Sequence, residues 1–251
     1  MSLLLIDAGN TRIKWRVVAP AQPLDVLAEG ALEHAQVDAL GTIRAMHPEL
    51  TRMYGCNVAG SAIDARISAA CAGLDVGWLT STRQCAGVLN RYDAPAQLGA
   101  DRWAALIGAR HVHAGPCLVV TAGTATTVDL LSAEGVFLGG LILPGVALML
   151  RSLAHGTAQL PFAEGRFALQ PRRTADAIRS GCLQAQAGAV ERMFRQIAHA
   201  PDARCLLGGG AADSFADLLD IPLRRVDNLV LAGLGIAATH AADGHSISTP
   251  I

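Results

Sequence analysis

"LLIDAGNTRIKW", residues 4–15, decides the fold. An apolar run ends on Asp7, turns through Gly9, Asn10 and Thr11, and sets off again through Ile13, Lys14 and Trp15. Strand-type residues on both sides of a Gly–polar turn read as two strands, Leu3 to Val18, joined by a tight bend. Glycine has no Cβ, so an anion can approach the bare amides of such a bend, and Asn10 and Thr11 add side-chain donors. The chain contains no G-x-x-x-x-G-K-[ST], so this is not a Walker A loop. Asp7 has two readings: a carboxylate holding Mg²⁺ at the phosphate edge, or a turn residue bonding its own backbone. Lys14 is the one lysine beside nineteen arginines. It reads either as a point charge for a phosphate oxygen or as a solvated strand residue.

The opening recurs. "LVVTAGTATTVDLL" (118–131) lies over "LLIDAGNTRIKWRV" (4–17) at an offset of 114. Asp7 falls on Thr121, Ala8 on Ala122, Gly9 on Gly123 and Asn10 on Thr124. Either two similar α/β lobes face a cleft, or two common hairpins coincide. A third glycine turn, Gly208, Gly209 and Gly210 after the strand "RCLLGGG" (204–210), favours a nucleotide cleft.

Further strands are expected at 53–60 and 73–79. Helices are expected at Val37–Met46, at Ser61–Ala70 with Ser61 as N-cap, and from Asp101 to about His113 with Trp103, Leu106 and Ile107 on one face. Thr174–Ala198, a stretch from Ala212, and Asn228 to about Ala242 also read as helical. Residues 1–115 then form one lobe and 116–251 the other, with a loose tail at 242–251.

Half-apolar composition (51%) with 16% charged residues predicts a sizeable core. A net charge of −1 gives no sign of a nucleic-acid or anionic-membrane partner. No apolar leader opens the chain. The uncharged apolar run Gly135–Leu150 is shorter than the ~20 residues of a membrane helix and is broken by Gly and Pro. None of the six cysteines forms a C-x-x-C pair, and Cys117 and Cys205 sit in apolar runs as buried thiols. The expectation is a soluble protein of the reducing cytoplasm.

Asp101 opens a helix in "LGADRWAALIGAR". It reads as an N-cap or as a general base, with Arg102 as a carboxylate clamp beside it. Tyr92, on the loop containing Pro95, either walls a small substrate site or simply packs. Asp129 is a metal-shell carboxylate or a strand-end residue. His111 and His113 read as surface or cap residues, and Arg172 and Arg173 as solvated.

"DAGNTRIK", "GADR", "TAGTATTVD", "GGLILPGVALM", "TADAIRSG" and "LLGGG" occur here in one order, and together they resemble the bacterial type III pantothenate kinases from Leu4 to about Gly235. The resemblance implies two ribonuclease-H-like lobes of the actin/sugar-kinase/heat-shock-chaperone superfamily. It also implies an interlobe nucleotide cleft, Mg-ATP, and a homodimer carrying a dimer helix in the second lobe. It implies transfer of phosphate from ATP to pantothenate, toward coenzyme A. By that resemblance the phosphate loop is Asp7, Ala8, Gly9, Asn10, Thr11, Arg12, Ile13 and Lys14, with Thr124 on ATP and Gly208–Gly210 at the adenosine. Asp101 accepts the proton; Gly99, Ala100, Asp101, Arg102, Tyr92 and Thr174 hold pantothenate. The chain departs from the family at Thr121, where many members carry an Asp that helps bind potassium or ammonium, so the monovalent-cation site is left open. Two other readings share the glycine turns: another small-molecule kinase of the superfamily, and a non-catalytic nucleotide-binding regulator.

Overall fold

The computed structural model describes residues 2–19, 21–156 and 165–242; the tail expected at 242–251 lies, but for Ala242, outside them. The chain divides into two compact units. One holds the residues up to Ala114, Gly135–Leu138 and those from Asn228 on; the other holds Gly115–Glu134 and Gly139–Asp227.

In the first unit, β1 (Ser2–Ala8), β2 (Arg12–Ala19) and β3 (Gln22–Glu33) form an antiparallel meander. After α1 (Ala39–Met46), β4 (Leu50–Asn57) joins parallel to β1; after α2 (Ser61–Ala70), β5 (Asp75–Trp78) joins parallel to β4. The strand order is β3-β2-β1-β4-β5. All seven β1 residues are buried, as expected of a central strand covered on both faces. Leu4, Ile6 and Ala8 pack with Leu40, Ile43, Ile63 and Ile67 from α1 and α2. Alternation therefore turns Leu3, Leu5 and Asp7 to the other face. A short hairpin, β6 (Gln84–Cys85) and β7 (Val88–Asn90), leads into α3 (Ala100–Val112).

The second unit repeats the plan. Strands β8 (Cys117–Ala122) and β9 (Ala125–Leu131) form a hairpin beside β10 (Val136–Pro144). After α4 (Val146–Gly156) and α5 (Thr174–Phe194), β11 (Arg204–Gly208) joins parallel to β8 and β12 (Leu223–Arg225) parallel to β11. The order β12-β11-β8-β9-β10 is that of the first unit read from its other edge. Two coincidental hairpins would not reproduce a whole five-strand order, so the internal repeat is a repeat of fold. Leu118, Val120, Ala122, Val128 and Leu130 form this unit's core with Leu183, Val190 and Phe194 of α5.

The last helix, α6 (Leu229–Ala242), belongs with the first unit, although a division at 115/116 assigns it to the second half. Small residues explain why. A Cβ on Gly233 would lie 1.8 Å from the Ala104 carbonyl oxygen of α3, and one on Gly108 would lie 2.4 Å from that of Leu229. The two helix backbones meet with no side chain between them. Gly233→Ala is expected to destabilise the fold by about 3 kcal/mol, the upper end of usual overpacking costs. A thermal midpoint unchanged by the substitution would show that the helices are not so closely packed.

Three local expectations are corrected. The N-cap of α2 is Gly60 (φ 95°), with Ser61 the first helical residue. The stretch from Ala212 is not one helix but two single turns, Ala212–Ser214 and Ala216–Leu218. Asp129 lies inside β9, buried and opposite Val119, not at a strand end. Cys117 and Cys205 are fully buried as expected, and none of the six cysteines forms a disulfide.

Candidate active site

The first-unit site grows out of the β1–β2 hairpin. Gly9 N–H donates to the Arg12 carbonyl at 3.1 Å, which leaves Asn10 and Thr11 at the tip. Gly9 is half-buried, and Asn10, Thr11 and Arg12 are exposed. Ala8 and Ile13 point into the core, so at these two positions only the backbone can meet a ligand. The hairpin register sets Lys14 directly opposite Asp7, and the parallel pairing with β4 sets Cys56 beside it.

Asp7 is buried, and burial pushes its carboxyl up to about 6. The Lys14 charge pulls it down, the Asp101 carboxylate pushes it up, and the Cys56 thiol, donating to Oδ1 at 3.6 Å, lowers it slightly. Burial, with Asp7 and Asp101 nearby, also pushes the Cys56 thiol well above its usual value. Two carboxylates from opposite ends of this unit's sequence thus share one electrostatic neighbourhood. Asp7 comes from the end of β1, and Asp101 from the first turn of α3.

Asp101 is not the N-cap of α3. That position is Gly99, and Asp101 is the second helical residue, its Oδ1 accepting the Arg102 N–H at 2.8 Å. Arg102 is buried. Its Nη1 donates to the Tyr92 hydroxyl at 2.9 Å, and its guanidinium lies 5.6 Å from the centre of the Tyr92 ring and 5.8 Å from that of Phe137. The Tyr92 and Phe137 rings are 5.4 Å apart. Buried Asn90 shapes the loop beneath: Oδ1 accepts the Tyr92 N–H at 3.0 Å and Nδ2 donates to the Pro95 carbonyl at 3.1 Å. Tyr92, Arg102 and Asp101 are therefore one connected group. The arrangement adds that Arg102 grips Tyr92, with Phe137 as the backing ring.

In the second unit, Gly123 N–H donates to the Ala125 carbonyl at 3.0 Å, and Thr124 and Ala125 are exposed. The bend is one residue tighter than the first. Ala122 pairs with Thr126, so Thr127 stands opposite Thr121. The charged Asp7–Lys14 pair of the first hairpin is thus replaced by two threonines in the second. Asp129 lies on the same face of β9 as Thr127. The triple glycine sits against this bend. Gly208 pairs with Thr121, Gly209 has φ 96° with a Cβ-to-be 2.2 Å from the Ala122 carbonyl, and Ala211 N–H donates to that carbonyl at 3.0 Å. Thr174 is the exposed first residue of α5. Arg172 and Arg173 are exposed, and His113 caps α3 at its C-terminal end.

The sequence reading missed Cys56, Asn90, Phe137 and His34, whose Nε2 lies 2.8 Å from the Gly9 carbonyl oxygen. Among the described residues no group of three or more His, Cys, Asp or Glu could hold a metal ion. An ion arriving with nucleotide phosphates needs only one or two carboxylates. Asp7, whose buried charge is incompletely offset by Lys14, fits that requirement.

A family profile described as type III pantothenate kinase matches residues 3–196. A type III pantothenate kinase of Aromatoleum aromaticum is 62% identical over 96% of this chain and 99% of its own. One of an Azoarcus species is 57% identical over 96% of this chain and 92% of its own. Among solved structures, the activator of 2-hydroxyisocaproyl-CoA dehydratase from Clostridium difficile with bound ADPNP is similar at TM-score 0.58. It is 12% identical, covering 97% of this chain and 95% of that one. This last likeness speaks to fold alone, the duplicated α/β architecture described above.

Proposed function

The chain belongs to the type III pantothenate kinase family, and on that footing we propose how its residues divide the work of phosphorylating pantothenate with ATP. The product, 4′-phosphopantothenate, is the first intermediate toward coenzyme A. The observation that carries the assignment of roles is the placement of Asp101 in the first turn of α3, joined to buried Arg102 and through it to Tyr92. Pantothenate presents a primary hydroxyl, and a carboxylate beside the phosphate-binding turn is the group suited to take its proton.

Asp101 is that base. Amides of Gly9–Thr11 and of Gly123–Ala125 hold the phosphates, and Lys14 offsets charge on the transferring group. Gly208–Gly210 receive the adenosine. Magnesium carried in with ATP would be held by Asp7 and would neutralise phosphate charge. Positioning and electrostatics supply nearly all the catalysis in such a transfer. Gly99–Arg102, Tyr92 and Thr174 hold pantothenate. Arg102, already bonded to Tyr92, fixes the tyrosine and its own guanidinium together, so that the substrate meets a preformed polar wall.

At the second bend, Thr121 and Thr127 offer neutral oxygens only. A monovalent cation there would be bound weakly unless Asp129, on the same face, contributes. Exposed Leu141, Ile142 and Leu148 in the second unit support a homodimer, and six cysteines held as thiols support a reducing, cytoplasmic setting. No described helix is long and apolar enough to cross a membrane.

A coupled ADP assay tests the whole reading. ADP release is expected only with pantothenate, not with sugars or polyphosphate, and is expected to respond to potassium only at high concentrations. Release without pantothenate would overturn the assignment. A steep potassium requirement at low concentration would overturn the weak-cation reading alone.

A further inference from the structure

The phosphate turn is held from outside. In a two-residue hairpin the Gly9 carbonyl would ordinarily accept the Arg12 N–H, reciprocating the bond from Gly9 N–H to Arg12. Among the described residues that reciprocal bond is not made. The Gly9 carbonyl instead meets His34 Nε2 at 2.8 Å. His34 follows β3 and is braced in turn. Arg66 of α2 donates from Nη1 to the His34 carbonyl at 2.8 Å and reaches Asp38 with Nη2 at 3.3 Å. The Glu33–Gln36 capping box fixes the single turn that begins at His34.

A carbonyl and an incoming phosphate repel each other, whereas an N–H attracts it. A donor that turns the Gly9 carbonyl outward therefore does two things: it removes the repelling dipole from the tip and frees the Arg12 amide to face the ligand. Nothing in the sequence reading or the family's motifs assigns a role to residue 34. We propose that His34 is a positioning residue for ATP, acting through the Gly9 carbonyl to preorganise the phosphate turn. This rests on the reading of residues 7–14 as that turn.

The test is steady-state kinetics of full-length His34→Ala, His34→Gln and Arg66→Ala, with thermal melts of each. Loss of one hydrogen bond that bears mainly on the nucleotide predicts a roughly five- to tenfold rise in KM for ATP for His34→Ala. KM for pantothenate is expected to stay within about twofold. Glutamine can present an N–H at similar reach, so His34→Gln is expected to recover most of the loss, and Arg66→Ala, which only loosens the brace, to show a smaller rise of the same kind. A merely structural role would raise both KM values together or lower the melting temperature without a split, and either result overturns the proposal. So does an ATP KM unchanged in His34→Ala. If His34→Ala fails to fold, the other two variants decide. An ATP-selective rise in Arg66→Ala with recovery in His34→Gln supports the role, and its absence in Arg66→Ala overturns it. Gly9→Val separates the two levels. If it leaves the ATP KM unchanged, the turn reading itself is wrong; if it raises that KM while His34→Ala does not, only the role of His34 is lost.

Discussion

Asp101→Asn is expected to lower kcat by about 10²–10⁴-fold, the usual worth of a general base, while ATP affinity stays within about twofold. The substitution isolates the chemistry. Asparagine keeps an oxygen that can accept the Arg102 N–H, a bond of 2.8 Å in the native chain, so the start of α3 is retained. The N-cap is Gly99 and makes no side-chain cap bond, so no cap is lost either. What disappears is the negative charge and the basicity. Removing that charge also takes away one of the influences that raise Asp7, so the residual activity of the variant should extend to lower pH than that of the native protein. Near-normal turnover in Asp101→Asn would reduce Asp101 to a helix-start residue. A large loss accompanied by a collapsed melting temperature would point to folding, not catalysis.

Much of the fold is legible in two short stretches. A strand ending on Asp7, a glycine bend and a return strand are local features, and their recurrence at 118–131 announces the second unit. What is not legible is what tertiary contact decides. Strand β3 has no clean alternation and stays largely exposed, with Leu27 open to solvent, so its pairing to β2 leaves little trace in residue pattern. The return of α6 to the first unit depends on Gly233 meeting Ala104, a contact between residues far apart in sequence. The two turns after Ala212 look helical by composition, but Gly209 and Ala211 are tied to Ala122 and redirect the chain.

The site divides the same way. The pairing of Asp7 with Lys14 follows from counting back from a two-residue bend, and the motif order points to Asp101, Arg102 and Tyr92. Cys56 is brought to Asp7 only by parallel pairing across β4, and Phe137 reaches Tyr92 from a strand that starts after the second hairpin. Asn90 and His34 carry no motif. Each acts by bonding a backbone group of a loop whose path the sequence does not reveal. The chemistry-bearing side chains are visible early because their types are unusual where they stand, whereas the residues that orient them are ordinary types in ordinary places.

Asp7→Asn should make the ligand-free protein more stable at neutral pH while nearly abolishing activity. The sign follows from the direction of the shift. In the unfolded chain the Asp7 carboxyl ionises near 3.8; in the folded protein burial holds it protonated up to about 6. Between these values the folded state keeps a proton that the unfolded state has released, so the Asp7 contribution is most favourable below pH 4 and is lost as pH rises from about 4 to 6. Above that the full cost is in place, about 3 kcal/mol for a shift of this size. Asparagine carries no charge to desolvate and can still accept the Cys56 thiol, so it removes most of that cost. The melting curves of the two proteins should converge below about pH 4 and separate above pH 6, with the variant higher. Mg-ATP should reverse the order, because native Asp7 gains a cationic partner that the variant cannot hold. Turnover should fall by at least about 10²-fold in the variant, and native kcat/KM for Mg-ATP, which reports the free protein, should decline as pH drops through about 6 and Asp7 takes up its proton. A variant less stable than the native protein at pH 7.5 would mean that Lys14 already compensates the buried charge. A variant with native turnover would remove Asp7 from the catalytic machinery. The buried carboxylate is a standing cost in the empty protein, and it becomes an attraction only when nucleotide and metal arrive, so the end of β1 has stability to regain by binding them.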